Sequence, residues 1–163
     1  MSVTLNGGVT FGGGLTLTAG PAGNKAIFGY GNDGVAGNQS LTNLVSNAGV
    51  VATDTTGVGT ARNGLAAAGY GSDKAIFGYG DGPVSMTNLV SNTGVVATDT
   101  TGVGTARGYP SAAGYGTDKA IFGYGFTTVY VSMTNLVNNT GVVATDTTGV
   151  GTSRGRLAAA AYG

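Results

Sequence analysis

Residues 74–80 of this chain read Lys-Ala-Ile-Phe-Gly-Tyr-Gly, and the same seven residues occupy 25–31 and 119–125. Each copy is followed by Thr-Asn-Leu-Val, by Gly-Val-Val-Ala-Thr-Asp-Thr-Thr-Gly-Val-Gly-Thr and by an arginine. These arginines, Arg62, Arg107 and Arg154, are 45 and 47 residues apart. A period of this length indicates one supersecondary unit used repeatedly, whose stacked copies share a core. The chain is therefore predicted to be a repeat protein with three copies.

Each copy is predicted to be a four-stranded antiparallel meander. In the second copy the strands are expected at 65–70, 74–79, 84–90 and 95–98. Valine, isoleucine, phenylalanine and tyrosine favour strands, and the only helix-prone run, 65–68, is followed at once by glycine. The fold class is therefore predicted to be all-β, with a three-repeat domain over 23–163 whose copies span about 23–64, 65–110 and 111–163.

The two ends of the chain differ from the repeats. Residues 1–22 alternate apolar residues and threonine between glycine turns, which predicts a β-rich N-terminal arm. Such an arm buries little surface alone, so we expect it to pair with a strand edge in this chain or in a neighbour. At the other end, 157–162 repeats the first strand of the unit, with no following copy to complete a sheet.

The order of these features resembles the kelch repeat of β-propellers. Arg62 precedes a first strand, Gly78 and Gly80 stand where kelch repeats carry paired glycines, and two outer strands follow. Kelch-like propellers generally close with about six or seven blades. The resemblance therefore implies a partial propeller that is completed by oligomerisation, with a symmetric dimer giving a six-bladed ring. A β-trefoil, which has three four-stranded repeats in one chain, remains the alternative.

A second resemblance concerns the opening residues, 1–17, and the recurring Thr-Asn-Leu-Val-Ser-Asn-Thr-Gly-Val-Val-Ala-Thr-Asp stretch. Both are similar to virion structural proteins of tailed phages that infect marine bacteria. This resemblance implies a virion location in the tail, the neck or the capsid surface. The partners that it implies are further copies of the chain and other virion proteins.

The composition disfavours catalysis and several classes of ligand. The 163 residues include no histidine, cysteine or glutamate, so the usual general bases, thiolate nucleophiles and transition-metal ligands are missing. Each repeat offers one aspartate in a glycine-rich turn, too few carboxylates for calcium. Seven basic and seven acidic residues balance, which disfavours nucleic acid, and no apolar run has membrane-spanning length. We expect no enzyme, cofactor, metal, nucleic acid or membrane partner.

Charged residues recur in step with the repeat. Asp54, Asp99 and Asp146 each precede an arginine by eight residues. An Asp–Arg pair, within a copy or between adjacent copies, would fix one strand against the next through charge-assisted bonds. The aspartates are also expected to cap backbone N–H groups of their own turns. Both features are predicted to be structural.

Aromatic residues are the remaining candidates for ligand contact. Tyr79 and Tyr124 lie between glycines, while Phe126 and Tyr130 belong to the connection that varies most between copies. Insertions in repeat proteins gather on one face, often the binding face. These four residues are the candidate contacts if the chain is a carbohydrate-binding lectin or receptor-binding module with a surface glycan as ligand. A tyrosine on a buried strand is otherwise core with its hydroxyl satisfied. A third alternative is an engineered propeller fragment that self-assembles.

Overall fold

A computed structural model describes residues 25–163 and shows an all-β protein of three small antiparallel sheets. The predicted N-terminal arm, 1–22, lies outside the described residues. We call the sheets blade 1, blade 2 and blade 3. The strands are β1 (Ala26–Asn32) and β2 (Asn38–Val45) in blade 1; β3 (Ala66–Tyr70), β4 (Lys74–Gly80) and β5 (Val84–Val90) in blade 2; and β6 (Ser111–Tyr115), β7 (Lys119–Phe126) and β8 (Tyr130–Val137) in blade 3.

The stretch Lys-Ala-Ile-Phe-Gly-Tyr-Gly is the central strand of blades 2 and 3. In blade 2, Phe77 of β4 lies opposite Ala67 of β3 on one side and Asn88 of β5 on the other. The register shifts between Gly78 and Gly80, so the tyrosine between them forms a β-bulge. The same shift occurs at the equivalent position of β1 and β7.

The fourth strand predicted at 95–98 is wrong: isolated bridges to β5 replace it. The carbonyl of Ala97 accepts a hydrogen bond from the side-chain amide of Asn88 at 3.0 Å, where a ladder would supply a backbone N–H. Asn43 and Asn135 do the same in the other blades. Because a side chain takes the place of a backbone donor, a continuous ladder does not form.

The core lies between the blades. Phe122 of blade 3 packs on Gly78 of blade 2, where an added Cβ would lie 2.7 Å from the ring. Phe77 of blade 2 packs in the same way on Gly29 of blade 1. Each phenylalanine also meets a tyrosine of the preceding blade edge to face, with ring centroids 5.2 Å apart. The blades therefore stack face to face, with an aromatic ring of each blade seated on glycine in the one before it.

Residues 25–163 contain no helical segment with the length and hydropathy of a membrane span.

Candidate functional site

The contact between blades 2 and 3, here called a seam, is built around the fully buried Arg107. Its Nε donates to the carbonyl of Tyr124 at 2.7 Å, Nη1 to the carbonyl of Thr105 at 3.1 Å, and Nη2 to Oδ1 of Asn135 at 2.7 Å. The guanidinium also lies 4.1 Å from the ring centroid of Tyr79. A buried charge is tolerated only when it is paired and hydrogen-bonded, and this arrangement meets that condition.

A carboxylate of blade 3 closes the seam from the outside. Asp146 accepts the N–H of Thr105 at 3.0 Å and its hydroxyl at 2.6 Å, and it lies 4.0 Å from Nη1 of Arg107. Burial acts to raise the pKa of Asp146, but the hydrogen bonds from Thr105 and Asn135, with the Arg107 charge, hold it below its ordinary value. The aspartate therefore caps the preceding repeat rather than its own turn, which corrects the expectation of a local cap.

The bulged tyrosines supply one acceptor of each arginine site, the set of groups that binds a seam arginine. Tyr30, Tyr79 and Tyr124 have φ values of 63°, 64° and 61°, in the left-handed region that side chains other than glycine rarely adopt. At the bulge the ladder is interrupted, so the tyrosine carbonyl is free to accept from the arginine of the seam. Strain of this kind costs on the order of 1–3 kcal/mol and persists where surrounding contacts enforce it.

The seam between blades 1 and 2 repeats this pattern atom for atom. Arg62 donates from Nε to the carbonyl of Tyr79 at 2.8 Å and from Nη2 to Asn88 at 2.7 Å, and it lies 4.4 Å from the ring centroid of Tyr30. Asp99 lies 3.8 Å from its Nη1. The predicted Asp–Arg pairing is therefore confirmed, and it joins adjacent copies.

Blade 1 carries a half-seam, the set of residues that forms one side of a seam in blades 2 and 3. Nδ2 of Asn43 donates to Asp54 at 2.8 Å and to the carbonyl of Ala52 at 3.1 Å, the same bonds that Asn88 and Asn135 make. A shallow groove lies beside them, lined by Tyr30, Asn43, Asp54 and Phe28. Phe28 is 61% exposed, whereas its equivalents in blades 2 and 3 are 3% and 0% exposed. The groove has the residues of the arginine site without the arginine.

Blade 3 carries the opposite half-seam, the residues that form the other side of a seam. Arg154 lies 4.3 Å from the ring centroid of Tyr124, and its Nη1 donates to the carbonyl of Thr152 at 3.0 Å. Its carbonyl accepts the N–H of Gly125 at 3.0 Å, as the carbonyl of Arg107 does from Gly80. Within residues 25–163, however, its Nε and Nη2 have no acceptor.

The structure places two of the predicted ligand contacts in the seams. Tyr79 is fully buried and donates its hydroxyl to the carbonyl of Val103 at 3.3 Å, so its assignment as a ligand contact is corrected to core. Burial raises the pKa of Tyr79, as expected for a phenol removed from water. Tyr124 is half-buried, donates to the carbonyl of Val150 at 3.1 Å and lies under Arg154.

The other two candidates lie together. Phe126 and Tyr130 flank the turn between β7 and β8, and their rings meet edge to face with centroids 5.3 Å apart. Tyr130 is 52% exposed. Near them, Tyr109 donates its hydroxyl to Asp81 and lies 3.8 Å from the guanidinium of Arg156. This aromatic pair is the one group of predicted contacts that the structure brings to a surface.

Sequence reasoning missed the asparagines and threonines of the seams. Asn88 and Asn135 orient the arginines, and Thr60 and Thr105 bind the aspartates. The signal was present, because both residue types recur in every copy at fixed distance from the arginine. Within residues 25–163 no three histidine, cysteine, aspartate or glutamate side chains lie close enough together to hold a metal ion.

No family model and no curated protein matches this chain. Its structure is similar to that of a fungal alcohol oxidase of the AA5 family in complex with copper, with a TM-score of 0.51 and 13% identity. The match covers 74% of this chain and 27% of the oxidase. The three small antiparallel sheets are therefore similar to a kelch β-propeller region of that oxidase. At this identity the likeness shows the fold alone.

The β-trefoil alternative is wrong for this chain. Each sheet is formed by strands of one copy, and no named strand within 25–163 pairs with a strand of another blade. The kelch resemblance of the sequence therefore gave the correct fold class, and the chain carries three blades of it.

Proposed function

We propose that this chain is a non-enzymatic assembly and interaction module, a structural component of a phage virion in the tail, neck or capsid surface. The observation that carries the proposal is that the buried charged side chains lie between blades. Arg62 and Arg107, the two buried charged residues of the described chain, both join one blade to the next. Half of the same joint is then exposed at each end of the stack. A molecule of this kind is suited to add further units.

The aspartates support a structural function. Asp99 and Asp146 are held by threonine, asparagine and arginine, so their carboxylates are committed to the seams. Burial acts to raise the pKa of Asp99, yet the hydrogen bonds and the Arg62 charge hold it below the ordinary range. General acid–base catalysis near neutral pH needs a group whose pKa is moved toward that pH. The pKa values of Asp99 and Asp146 are instead lowered, away from neutral pH.

The proposed partners are further copies of the chain and other virion proteins. Residues 1–22 would anchor the module by strand pairing, and the blades would form the exposed part. The test begins with purified particles, in which mass spectrometry and immunogold labelling should detect the chain at a fixed copy number. Particles that lack it at every stage of purification would overturn the virion proposal.

The anchor is tested with a chain lacking residues 1–22, produced during particle assembly. Circular dichroism and urea unfolding should match those of the full chain, while incorporation should be lost. The matched control replaces Thr4 and Thr10 by serine, which keeps the length and the glycine turns. Normal incorporation of the shortened, folded chain would refute the anchor.

The aromatic pair favours a second candidate function, carbohydrate binding. Exposed aromatic rings can stack on the apolar face of a sugar, with neighbouring polar groups fixing its hydroxyls. A glycan array should then give a ligand whose binding is lost in Tyr130→Ala. Tyr115→Ala is the control, since Tyr115 is 39% exposed on another strand. An array without any binder would end the lectin proposal and leave the structural one intact.

A further inference from the structure

We propose that a second copy of this chain joins the two half-seams into a third seam, with Arg154 of each copy entering the groove on blade 1 of the other. The half-seams on blades 1 and 3 are complementary residue by residue. Each has the residues of one side of a seam, and the chain already forms two such seams between its own blades. This inference rests on the proposed assembly function and specifies its partner and its contacts.

The groove offers the acceptors that Arg154 lacks. By equivalence with Arg62 and Arg107, its Nε would donate to the carbonyl of the partner's Tyr30 and its Nη2 to Oδ1 of the partner's Asn43. In the formed seams these bonds measure 2.7–2.8 Å. The carboxylate of Asp54 supplies the ion pair, since its equivalents lie 3.8 and 4.0 Å from the arginine.

The hydrogen bonds between threonine and aspartate, here called the clasp, are likewise divided between the two half-seams. Thr60 and Thr105 each give a backbone N–H and a hydroxyl to the aspartate of the following blade. Thr152 is their equivalent, two residues before Arg154, and Asp54 is the equivalent aspartate. The clasp of the third seam would therefore join Thr152 of one copy to Asp54 of the other.

The apolar surfaces match as well. The ring of Phe28 would pack on Gly123 of the other copy, as Phe77 packs on Gly29 and Phe122 on Gly78. An added Cβ on Gly123 now meets only the methyl group of Thr134, at 3.3 Å. Val51 is 52% exposed, but its equivalents in blades 2 and 3 are 9% and 8% exposed. Docking would cover apolar groups that the other seams already bury.

The C-terminal residues supply a strand in the same register. Residues 157–162 correspond to β3 and its preceding leucine, have no assigned secondary structure, and pair with no strand among the described residues. In blade 2, Ala67 lies opposite Phe77 and Tyr70 opposite Lys74. The equivalent pairing would set 157–162 beside β1 of the partner, whose strand pairs only with β2 in the described chain.

Two observations favour a second copy over other occupants. Residues 1–24 contain no arginine or lysine, so that segment cannot fill the arginine site. Blade 3 of a second copy presents Arg154 and Thr152, whose equivalents already bind the matching residues in both internal seams. Two copies joined in this way share two identical head-to-tail seams.

The first experiment measures the mass of the full chain in solution by light scattering and sedimentation over a wide concentration range. The expected mass is twice the 15.8 kDa of one chain. Arg154→Ala should weaken association by at least about 30-fold, as truncation of one partner of a buried ion pair does. Its circular dichroism at low concentration should be unchanged, because Arg154 is exposed in the single chain. The control is Lys74→Ala, an exposed lysine of blade 2, which contributes to neither half-seam.

A mixing experiment distinguishes this seam from any other dimer contact. The Arg154→Ala variant lacks the arginine and keeps the groove intact. The Asn43→Ala variant, in a separate chain, keeps the arginine and has an impaired groove. Each variant alone should be monomeric at the concentration where the wild type is dimeric. The mixture should regain a dimer that contains one chain of each kind, because one seam remains intact. A monomeric wild type, or an Arg154→Ala dimer of unchanged affinity, would overturn the proposal.

Deleting residues 157–163 separates the strand from the arginine. If that chain still dimerises while Arg154→Ala does not, the pairing of residues 157–162 with β1 of the partner is refuted and the arginine contact stands. Residues 1–24 would then be the source of the strand beside β1. The outcomes also separate closure from the assembly function. A chain that is monomeric but present in particles refutes closure alone, and a dimer that never enters particles refutes the virion proposal alone.

Discussion

At the residue scale, the arginine of each seam matters most to stability. Arg107 is fully buried, donates three hydrogen bonds and lies against an aromatic ring, so it fixes two blades at one point. Lysine could supply the charge but not the planar set of donors. The same residue type therefore acts as core in two copies and remains exposed in the third.

We predict that Arg107→Leu lowers the free energy of unfolding by about 3–5 kcal/mol, because it leaves Asp146 and Asn135 without their partner. Urea unfolding monitored by tyrosine fluorescence measures the change. Arg154→Leu, at the equivalent position, should change the unfolding of the dissociated single chain by less than about 0.5 kcal/mol. Equal losses in both variants would contradict the seam as described.

A second residue-scale prediction concerns the glycine that receives the aromatic ring. Gly78→Ala should destabilise the fold by about 1–3 kcal/mol, because the new methyl group would lie 2.7 Å from the ring of Phe122. Gly69→Ala is the control, since its Cβ would meet only a carbonyl at 3.6 Å and the equivalent residue, Ala161, is already alanine. Thermal unfolding of both variants tests the difference, and a neutral Gly78→Ala would contradict it.

At the scale of elements, the blades are joined more by side chains than by strands. Asp99 of blade 2 and Asp146 of blade 3 each bind a threonine of the preceding blade. The neighbouring asparagine replaces a backbone donor in the fourth strand position. A blade is therefore stabilised by its neighbour, so the stack should lose order from its ends.

The clasp predicts acid sensitivity. The folded pKa values of Asp99 and Asp146 lie below their unfolded values, so the contribution of the clasp is complete above an unfolded pKa of about 3.9. It is lost as the pH falls from there through the lower folded values. The thermal midpoint should therefore fall steeply below about pH 4. The double variant Asp99→Asn, Asp146→Asn should be less stable at pH 7 and show a shallower acid transition; an unchanged slope would contradict the clasp.

At the scale of the whole molecule, residues 25–163 form a stack of three blades whose two ends differ. Phe28 and Val51 are exposed at one end although their equivalents in the other blades are buried. A stack of identical joints either closes into a ring or continues as a filament, and the twist from blade to blade decides which.

Closure by a second copy predicts that stability depends on protein concentration. The thermal midpoint should rise as the chain is concentrated a hundredfold, by the mass-action contribution of association. The variant Arg154→Ala should show a midpoint that does not depend on concentration. A wild-type midpoint that is equally independent would contradict the closed pair.

The sequence by itself determined the three copies, the all-β class and the kelch-like order of strands, because period and strand propensity are local properties. It placed the third strand of blade 2 at 84–90, where β5 lies. It could not place a tyrosine at positive φ, nor show that Asp99 pairs with Arg62 instead of Arg107. Those depend on how one blade stacks on the next. Only the tertiary structure decided which copies of a repeated residue are buried. Phe77 and Phe122 are buried and Phe28 is exposed, because a side chain is buried only where a neighbouring blade covers it.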